Sequence, residues 1–285
     1  MSREELSRYF IASGCPIATT TLYRCVHLQE QLQSLGYAAE VAEWFEEAKM
    51  NPEKALDHDV IVLYRLPLCS KLEKLVQDAR ELGKPVIFDT DDLIFEPELT
   101  AWQRAVRNLT PADQNQHLEW VRRYLATLLA CDAAIVATPL LAELVRRRGK
   151  KAFVHRNALG REMLELADRL YLQRRDRRID GKIVIGYGSG TPTHGVDFQE
   201  TTAALISVLQ QFPQLELWIA GPLALPPALE NFGARLRRFP LMNWRGWFDL
   251  MSQFDIALAP LRWATSFAAP KARSSLSRLG WPACQ

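Results

Sequence analysis

Lys182 to Phe198, KIVIGYGSGTPTHGVDF, constrains the architecture more than any other stretch of the chain. Three β-branched residues, Ile183, Val184 and Ile185, are followed by Gly186, Gly188 and Gly190, and a helical pattern starts near Asp197. A strand, a glycine-rich loop and a helix in that order make a βα unit, which calls for a parallel sheet. The helix that follows such a loop has free N–H groups at its start, a ready anion site. The glycines are each two apart, so they do not fit the G-x-G-x-x-G dinucleotide pattern. From spacing alone, an ordinary strand-to-helix turn and a phosphate loop both stay open.

The same alternation fills the rest of the chain. Strands are expected at Tyr9–Ala12, Ala38–Trp44, Asp59–Tyr64 (DVIVLY), Pro85–Phe88, Ala133–Ala137 and Ala152–His155. DVIVLY is an unbroken apolar run of the kind buried on both faces of a parallel sheet. Helices are expected from about Leu22 to Leu35, at Ser70–Leu82, from Thr110-Pro111 to about Ala130, and at Leu140–Arg148. Gly36, Gly83 and Gly149 stand where helix C-caps fall, and Pro111 stands at a first helical position. Arg161–Arg178 reads as a charged crossover helix. After the opening stretch come a helix to Gln211, the strand Leu215–Ala220 (LELWIA), helices near Pro227–Phe232 and Trp247–Gln253, and a strand Ile256–Leu261. The expected fold class is therefore α/β, two Rossmann-like domains with parallel sheets, the second incomplete. The second pattern spans only about 80 residues, where a full Rossmann-like domain takes ~100–150. The division expected is 1–160, a linker helix 161–180, a partial domain 181–262 and a tail 263–285.

At 285 residues, 48% hydrophobic and 24% charged, the chain has the composition of a globular protein. A net charge of +2 gives no pull toward nucleic acid. Arg146–Arg148 and the run Arg174 to Arg178 read first as solvated helix ends, with an anionic membrane surface as the secondary reading. Five scattered cysteines without a C-x-x-C pair suggest neither a metal site nor a disulfide framework and fit a reducing cytoplasm. No apolar run reaches the ~18 residues of a membrane span. The charged start, Met1-Ser2-Arg3-Glu4-Glu5, does not resemble a secretory signal. A cytoplasmic protein is expected, with contact at the inner membrane face as an extension of the secondary reading.

Several strings together carry a resemblance. They are Tyr23-Arg24-Cys25 with His27 and Glu30-Gln31-Leu32; Val86 to Phe95, VIFDTDDLIF; Ser189 to His194, SGTPTH, with Asp197-Phe198; and Ala259-Pro260-Leu261. In combination they resemble bacterial retaining nucleotide-sugar glycosyltransferases of the GT-B fold, the family often labelled glycosyl transferase group 1. The resemblance runs from about Tyr9 to Leu261. It implies two facing Rossmann-like domains, the first for an acceptor (glycan, lipid or protein) and the second for a nucleotide diphosphate sugar. It implies no metal and no cofactor beyond the donor, because a helix dipole, loop amides and cations stabilise the leaving diphosphate.

Carried over by position, Gly190, Thr191, Thr193 and His194 would face the donor diphosphate, with a solvated loop histidine the equal alternative for His194. Gly221 and Pro222 would lie near the base and ribose, with Arg245 in the segment flanking the nucleobase. Packing is the plainer role for Trp244 and Trp247. Ser13, Gly14, Arg24 and Asp89 would line the acceptor side, with Arg65 at the same edge. Asp91 and Asp92 are the candidate catalytic carboxylates. The three aspartates could bind acceptor hydroxyls or hold an arginine such as Arg24, and Asp89 could cap the following turn. An Asp-x-Asp metal site belongs to a different glycosyltransferase architecture. A non-catalytic nucleotide or sugar-phosphate binding module and a GT-B epimerase or phosphorylase are the alternatives. No lysine matches the pyridoxal-binding pattern of a phosphorylase.

The resemblance breaks at Trp263. There the family pattern continues with a basic residue and a glutamate on a helix, then E-A-G and a Pro-Val strand. Residues 263–285 hold no acidic residue and no clear period. Written as codons and read two bases on, with synonymous choices, they give G-N-L-F-C-R-A-K-S-E-I-K-F-V-E-A-G-L-A-G-M-P. Two bases of each shifted codon come from the present residues, fixed wherever that residue is not Ser, Leu or Arg. A frameshift near Trp263 is therefore expected, with a poorly packed tail and impaired activity.

Overall fold

A computed structural model describes residues 7–101, 106, 109–175, 181–190 and 195–260. The described residues form two compact units, one up to Gly160 and the other from Arg161 onward.

In the first unit, β1 (Arg8–Ser13), β2 (Ala38–Glu43), β3 (Val60–Tyr64), β4 (Val86–Thr90), β5 (Ala133–Val136) and β6 (Lys151–Val154) form one parallel sheet in the order β2-β1-β3-β4-β5-β6. Register is regular: Phe10 stands beside Glu40 and Ile61, and Leu63 beside Phe88. DVIVLY earns its central place because Ile61 through Tyr64 are all buried. Helix α1 begins at Ala18, four residues before its expected start. It runs Ala18–Thr21, passes through a π-turn Leu22–Val26 and continues as His27–Ser34. A π-turn shifts the helix face and often marks a functional segment. Here it turns Arg24 and Cys25 inward, and both are buried. The unit continues with α2 (Pro52–Leu56), α3 (Ser70–Glu81), α4 (Pro97–Ala101), α5 (Pro111–Ala130) and α6 (Pro139–Arg147). Thr110 and Thr138 cap α5 and α6, their hydroxyls accepting from Asp113 N and Leu141 N at 3.2 Å each. Helix α2 and the short α4 were not anticipated; each is a single turn started by a proline, too short to show a period.

The second unit carries α7 (Arg161–Arg175), β7 (Ile183–Gly188), α8 (Gly195–Gln211), β8 (Leu215–Ala220), α9 (Pro227–Glu230), β9 (Leu236–Phe239), α10 (Trp244–Met251) and β10 (Ile256–Leu258). Its sheet is parallel in the order β10-β7-β8-β9. LELWIA is buried along its whole length. β9, LRRF, was not anticipated because two arginines break the apolar pattern. They are accommodated individually: Arg237 stacks on Trp218, 5.1 Å from the ring centre, and Arg238 donates to Leu223 O.

The opening stretch needs one correction. β7 runs through Gly186 and Gly188, so these glycines belong to the strand and not to the loop. A Cβ on Gly186 would stand 2.1 Å from the Phe254 ring, and one on Gly188 would stand 2.4 Å from Trp247. The strand glycines make room for aromatic rings over the sheet. That packing is the role of Trp247. Trp244 stacks edge-on against Phe248 at 5.8 Å.

The expected tail at 263–285 lies outside the described residues.

Candidate functional site

In an open parallel sheet, ligands bind beyond the carboxyl ends of the strands, where the strand order reverses. Each unit has one such point: between β1 and β3 in the first, and between β7 and β10 in the second.

In the second unit, β7 ends at this point and gives way to Ser189 and Gly190. Gly190 is exposed; Thr191, Thr193 and His194 lie outside the described residues. The chain then enters α8 at Gly195, a 17-residue helix with Asp197 in its first turn. Ser189 is tied to the neighbouring strand end. Its N–H donates to Ala220 O at 2.8 Å and its hydroxyl to Pro222 O at 2.8 Å. Gly221 has φ +82°, and a Cβ there would stand 2.0 Å from Ser189 O, so no other residue fits. The structure thus brings Gly190, Gly221 and Pro222 to one edge. Arg245, in the first turn of α10, is exposed, lies 4.4 Å over the Trp244 ring and pairs with Glu162 of α7.

The first unit gathers its candidates at the carboxyl ends of β1, β3, β4 and β6, but mostly under the surface. Arg24 is 1% exposed and Asp89 0%. Arg24 Nε donates to Asp89 Oδ1 at 2.7 Å, and its Nη1 donates to His155 O and to Asn157 Oδ1 at 3.2 Å. Asn157 Nδ2 in turn donates to Asp91 Oδ2 at 3.0 Å. Asp91 Oδ1 accepts from Tyr64 OH at 2.9 Å and from Arg65 Nε at 3.1 Å. Among the described residues, Arg24 Nη2 and Asp89 Oδ2 have no hydrogen-bond partner. Burial pushes the Asp89 carboxyl up, to about 6, against the pull of Arg24. Burial also pushes His155 down, to about 4, with Arg24 adding to the effect, so the ring is neutral at physiological pH. His155 is oriented by Gln31, its Nε2 standing 2.8 Å from Oε1.

Ser13 is buried as well, its hydroxyl 2.7 Å from that of Thr21. Gly14 packs against the Arg65 backbone, where a Cβ would meet Arg65 O at 2.4 Å. Arg65 holds φ at +47° as a non-glycine residue, a left-handed conformation of the kind that collects at working sites. Its N–H reaches Asp89 O at 3.0 Å while its guanidinium pairs with Asp91. Asp92 caps the turn after β4, accepting from Leu93 N at 2.9 Å, and keeps part of its carboxylate exposed.

Of the openings read from sequence, then, the aspartates hold arginines: Asp89 takes Arg24 and Asp91 takes Arg65. Asp92, not Asp89, caps the turn. No group of three His, Cys, Asp or Glu among the described residues could hold a metal ion. Tyr64, His155 and Asn157 belong to the same network and were missed. They carry no motif, and only the sheet order brings the chain after β6 to the end of β4.

The second unit also holds a cavity of about 260 Å³ under α7 and α10, lined by Lys182, Glu216, Trp218 and Arg237 among others. Its charges answer one another. Glu216 accepts from Lys182 at 2.6 Å and from Trp218 Nε1 at 2.9 Å, with Arg237 at 3.7 Å.

No family model and no curated protein sequence matches the chain. Solved structures do. Sucrose-phosphate synthase from Thermosynechococcus elongatus superposes with a TM-score of 0.52 at 12% identity, over 92% of this chain and 78% of that one. The catalytic domain of starch synthase IV from Arabidopsis thaliana, bound to ADP and acarbose, gives 0.53 at 9% identity, over 89% and 78%. UDP-GlcNAc 2-epimerase from Methanocaldococcus jannaschii gives 0.47 at 12%, over 87% and 77%. At such identities the first two show the fold alone: α/β with two parallel sheets, of the GT-B class, the second unit the smaller. No helix among the described residues is long and apolar enough to cross a membrane.

Proposed function

We propose that the chain is built as a GT-B glycosyltransferase that binds a nucleotide diphosphate sugar in its second unit and an acceptor in its first. The observation that carries this is the loop leaving β7 at the point of strand-order reversal and entering the 17-residue α8. The first-turn N–H groups of a helix have no partner within the helix, and with the positive end of its dipole they favour a diphosphate, most of all as the sugar departs and negative charge grows. Gly190, Thr191, Thr193 and His194 would face the diphosphate. Gly221 and Pro222 would bound the ribose, and Arg245 with its stacked Trp244 would flank the base. In the first unit, the exposed part of Asp92 and the edge of Arg65 would meet the acceptor. Ser13, Arg24, Asp89 and Asp91 would hold them in place from beneath.

The test is a thermal-unfolding titration with UDP, ADP, GDP and the bare nucleosides. A diphosphate at 100 times its Kd adds about 2.7 kcal/mol of stability. A rise with one diphosphate, absent with its nucleoside and weakened by Thr193→Val with His194→Ala, supports the site. No rise at millimolar diphosphate refutes it. Stabilisation without donor turnover favours the non-catalytic binding module. The out-of-frame reading of residues 263–285 is tested by sequencing the gene across codon 263, and by asking whether the shifted-frame continuation restores turnover.

A further inference from the structure

β6 is an outer strand of the first sheet, and its surface is unlike an ordinary solvated edge. Phe153 is 58% exposed and Val154 42%. Around Phe153 lies an open hollow lined by Arg146, Gly149, Lys150, Lys151 and Ala152, with no carboxylate among its lining residues. The local fold assembles it. Helix α6 ends in Arg146 and Arg147, Gly149 turns the chain with φ +78°, and Lys150 and Lys151 lead straight into the strand.

The cations differ in what they already hold. Arg148 is spent on Glu96 and Glu98, with contacts of 2.6 and 2.7 Å, and Arg147 pairs with Glu143. Arg146 gives one nitrogen to Ala152 O at 2.8 Å, and Lys150 reaches Cys131 O at 2.7 Å. Both partners are neutral carbonyls, and among the described residues no carboxylate pairs with Arg146, Lys150 or Lys151, so their positive charge gathers beside an exposed aromatic ring.

We propose that this face docks on an anionic phospholipid bilayer, the Phe153 ring entering the interface while Arg146, Lys150 and Lys151 meet headgroup phosphates. Lysines at a sheet edge also guard against strand addition, but that role does not ask for an exposed phenylalanine two residues on from Lys151. A protein partner fits less well. Lysine is depleted from protein interfaces, and a stable one buries roughly 800 Å² on each side, more than a four-residue edge and one turn present. A bilayer needs neither shape complementarity nor a groove. It rewards an apolar tip ringed by flexible cations whose stems follow it into the interface. This inference stands apart from glycosyl transfer, because vesicle binding is read without any sugar donor.

The experiment is flotation of the full chain with vesicles of equimolar phosphatidylglycerol and phosphatidylcholine, against phosphatidylcholine alone. Binding only to the anionic vesicles, weakened by added salt, is expected. Lys151→Glu should weaken it at least roughly fivefold, the order expected for one cation at an anionic surface, and Phe153→Ser roughly tenfold. Both side chains are exposed, and far-UV circular dichroism verifies that the variants fold. Lys74→Glu, at an exposed lysine on α3 that pairs with Asp78, should leave binding unchanged. Equal binding to neutral vesicles, an equal loss in Lys74→Glu, or retention on heparin without vesicle binding would each overturn the proposal.

Discussion

Removing Arg24 tests whether the buried network of the first unit is an electrostatic unit. Methionine at this position keeps most of the volume but removes the cation from Asp89, which is fully buried and already has an oxygen without a partner among the described residues. It also strips a donor from His155 O and Asn157 Oδ1. Breaking a buried pair by removing one partner costs about 3–5 kcal/mol, because the remaining charge is left uncompensated. Asp89 has an escape, since a carboxyl already raised to about 6 can take up a proton. The sign of the pH dependence follows. The unfolded carboxyl titrates near 4 and the folded one higher, so this group weakens the fold as pH rises between the two values. Without Arg24 the folded value climbs further and the window widens upward. The cost of Arg24→Met should therefore be smallest near pH 5 and grow by about 1.4 kcal/mol per pH unit above 6 until the carboxyl ionises in the folded state. Asp89→Asn leaves Arg24 buried and charged, so it should be costly at every pH. Combining the two substitutions should recover most of the loss, since an uncharged pair of similar volume is often neutral. The assay is urea unfolding of the three variants at pH 5, 6, 7 and 8. A pH-independent cost for Arg24→Met, or a double variant as unstable as the sum of the singles, would refute the reasoning.

Other outcomes follow from single contacts. Gly186→Ala should destabilise the second unit by about 1–3 kcal/mol or more, because its Cβ meets the Phe254 ring; thermal unfolding read by tryptophan fluorescence measures it. His155 should stay neutral down to about pH 4 in an NMR titration, since Arg24 and burial both oppose its protonation; a midpoint near 6.5 would contradict the packing described. Cys25 and Cys131, their thiols pushed up by burial, Cys131 to about 12, should resist iodoacetamide in the native protein, while the half-buried Cys69 reacts.

Much of the fold was legible because burial on both faces of a parallel strand leaves an unbroken apolar run. DVIVLY and LELWIA are such runs, and both became central or inner strands. β9 was hidden because its arginines satisfy a stacking ring and a carbonyl, a detail of tertiary contact that no local pattern carries. The glycines of β7 show the same limit from the other side. Two-residue spacing looked like a loop, yet a glycine under an aromatic ring is as much a strand residue as a valine. What distinguishes the two is the position of Phe254 and Trp247, some 60 residues on in the sequence.

The candidate site divides along the same line. FDTDD was recognisable as a carboxylate cluster at a strand end, but the sequence could not say which carboxylates face outward. Asp89 is buried at the end of an interior strand, where it takes the buried Arg24. Asp91 is turned under the surface by Tyr64, Arg65 and Asn157, and only Asp92 keeps an exposed face. A buried carboxylate with an arginine of its own does not serve as a free base, so the proposed acceptor side of the first unit narrows to Asp92 and the strained Arg65. Asp92→Asn should change acceptor affinity or turnover while leaving urea stability within about 1 kcal/mol, the usual range for an exposed substitution that costs one turn cap. Asp91→Asn should do the opposite and lower urea stability by about 1–3 kcal/mol, because Asp91 holds Tyr64, Arg65 and Asn157 from beneath the surface.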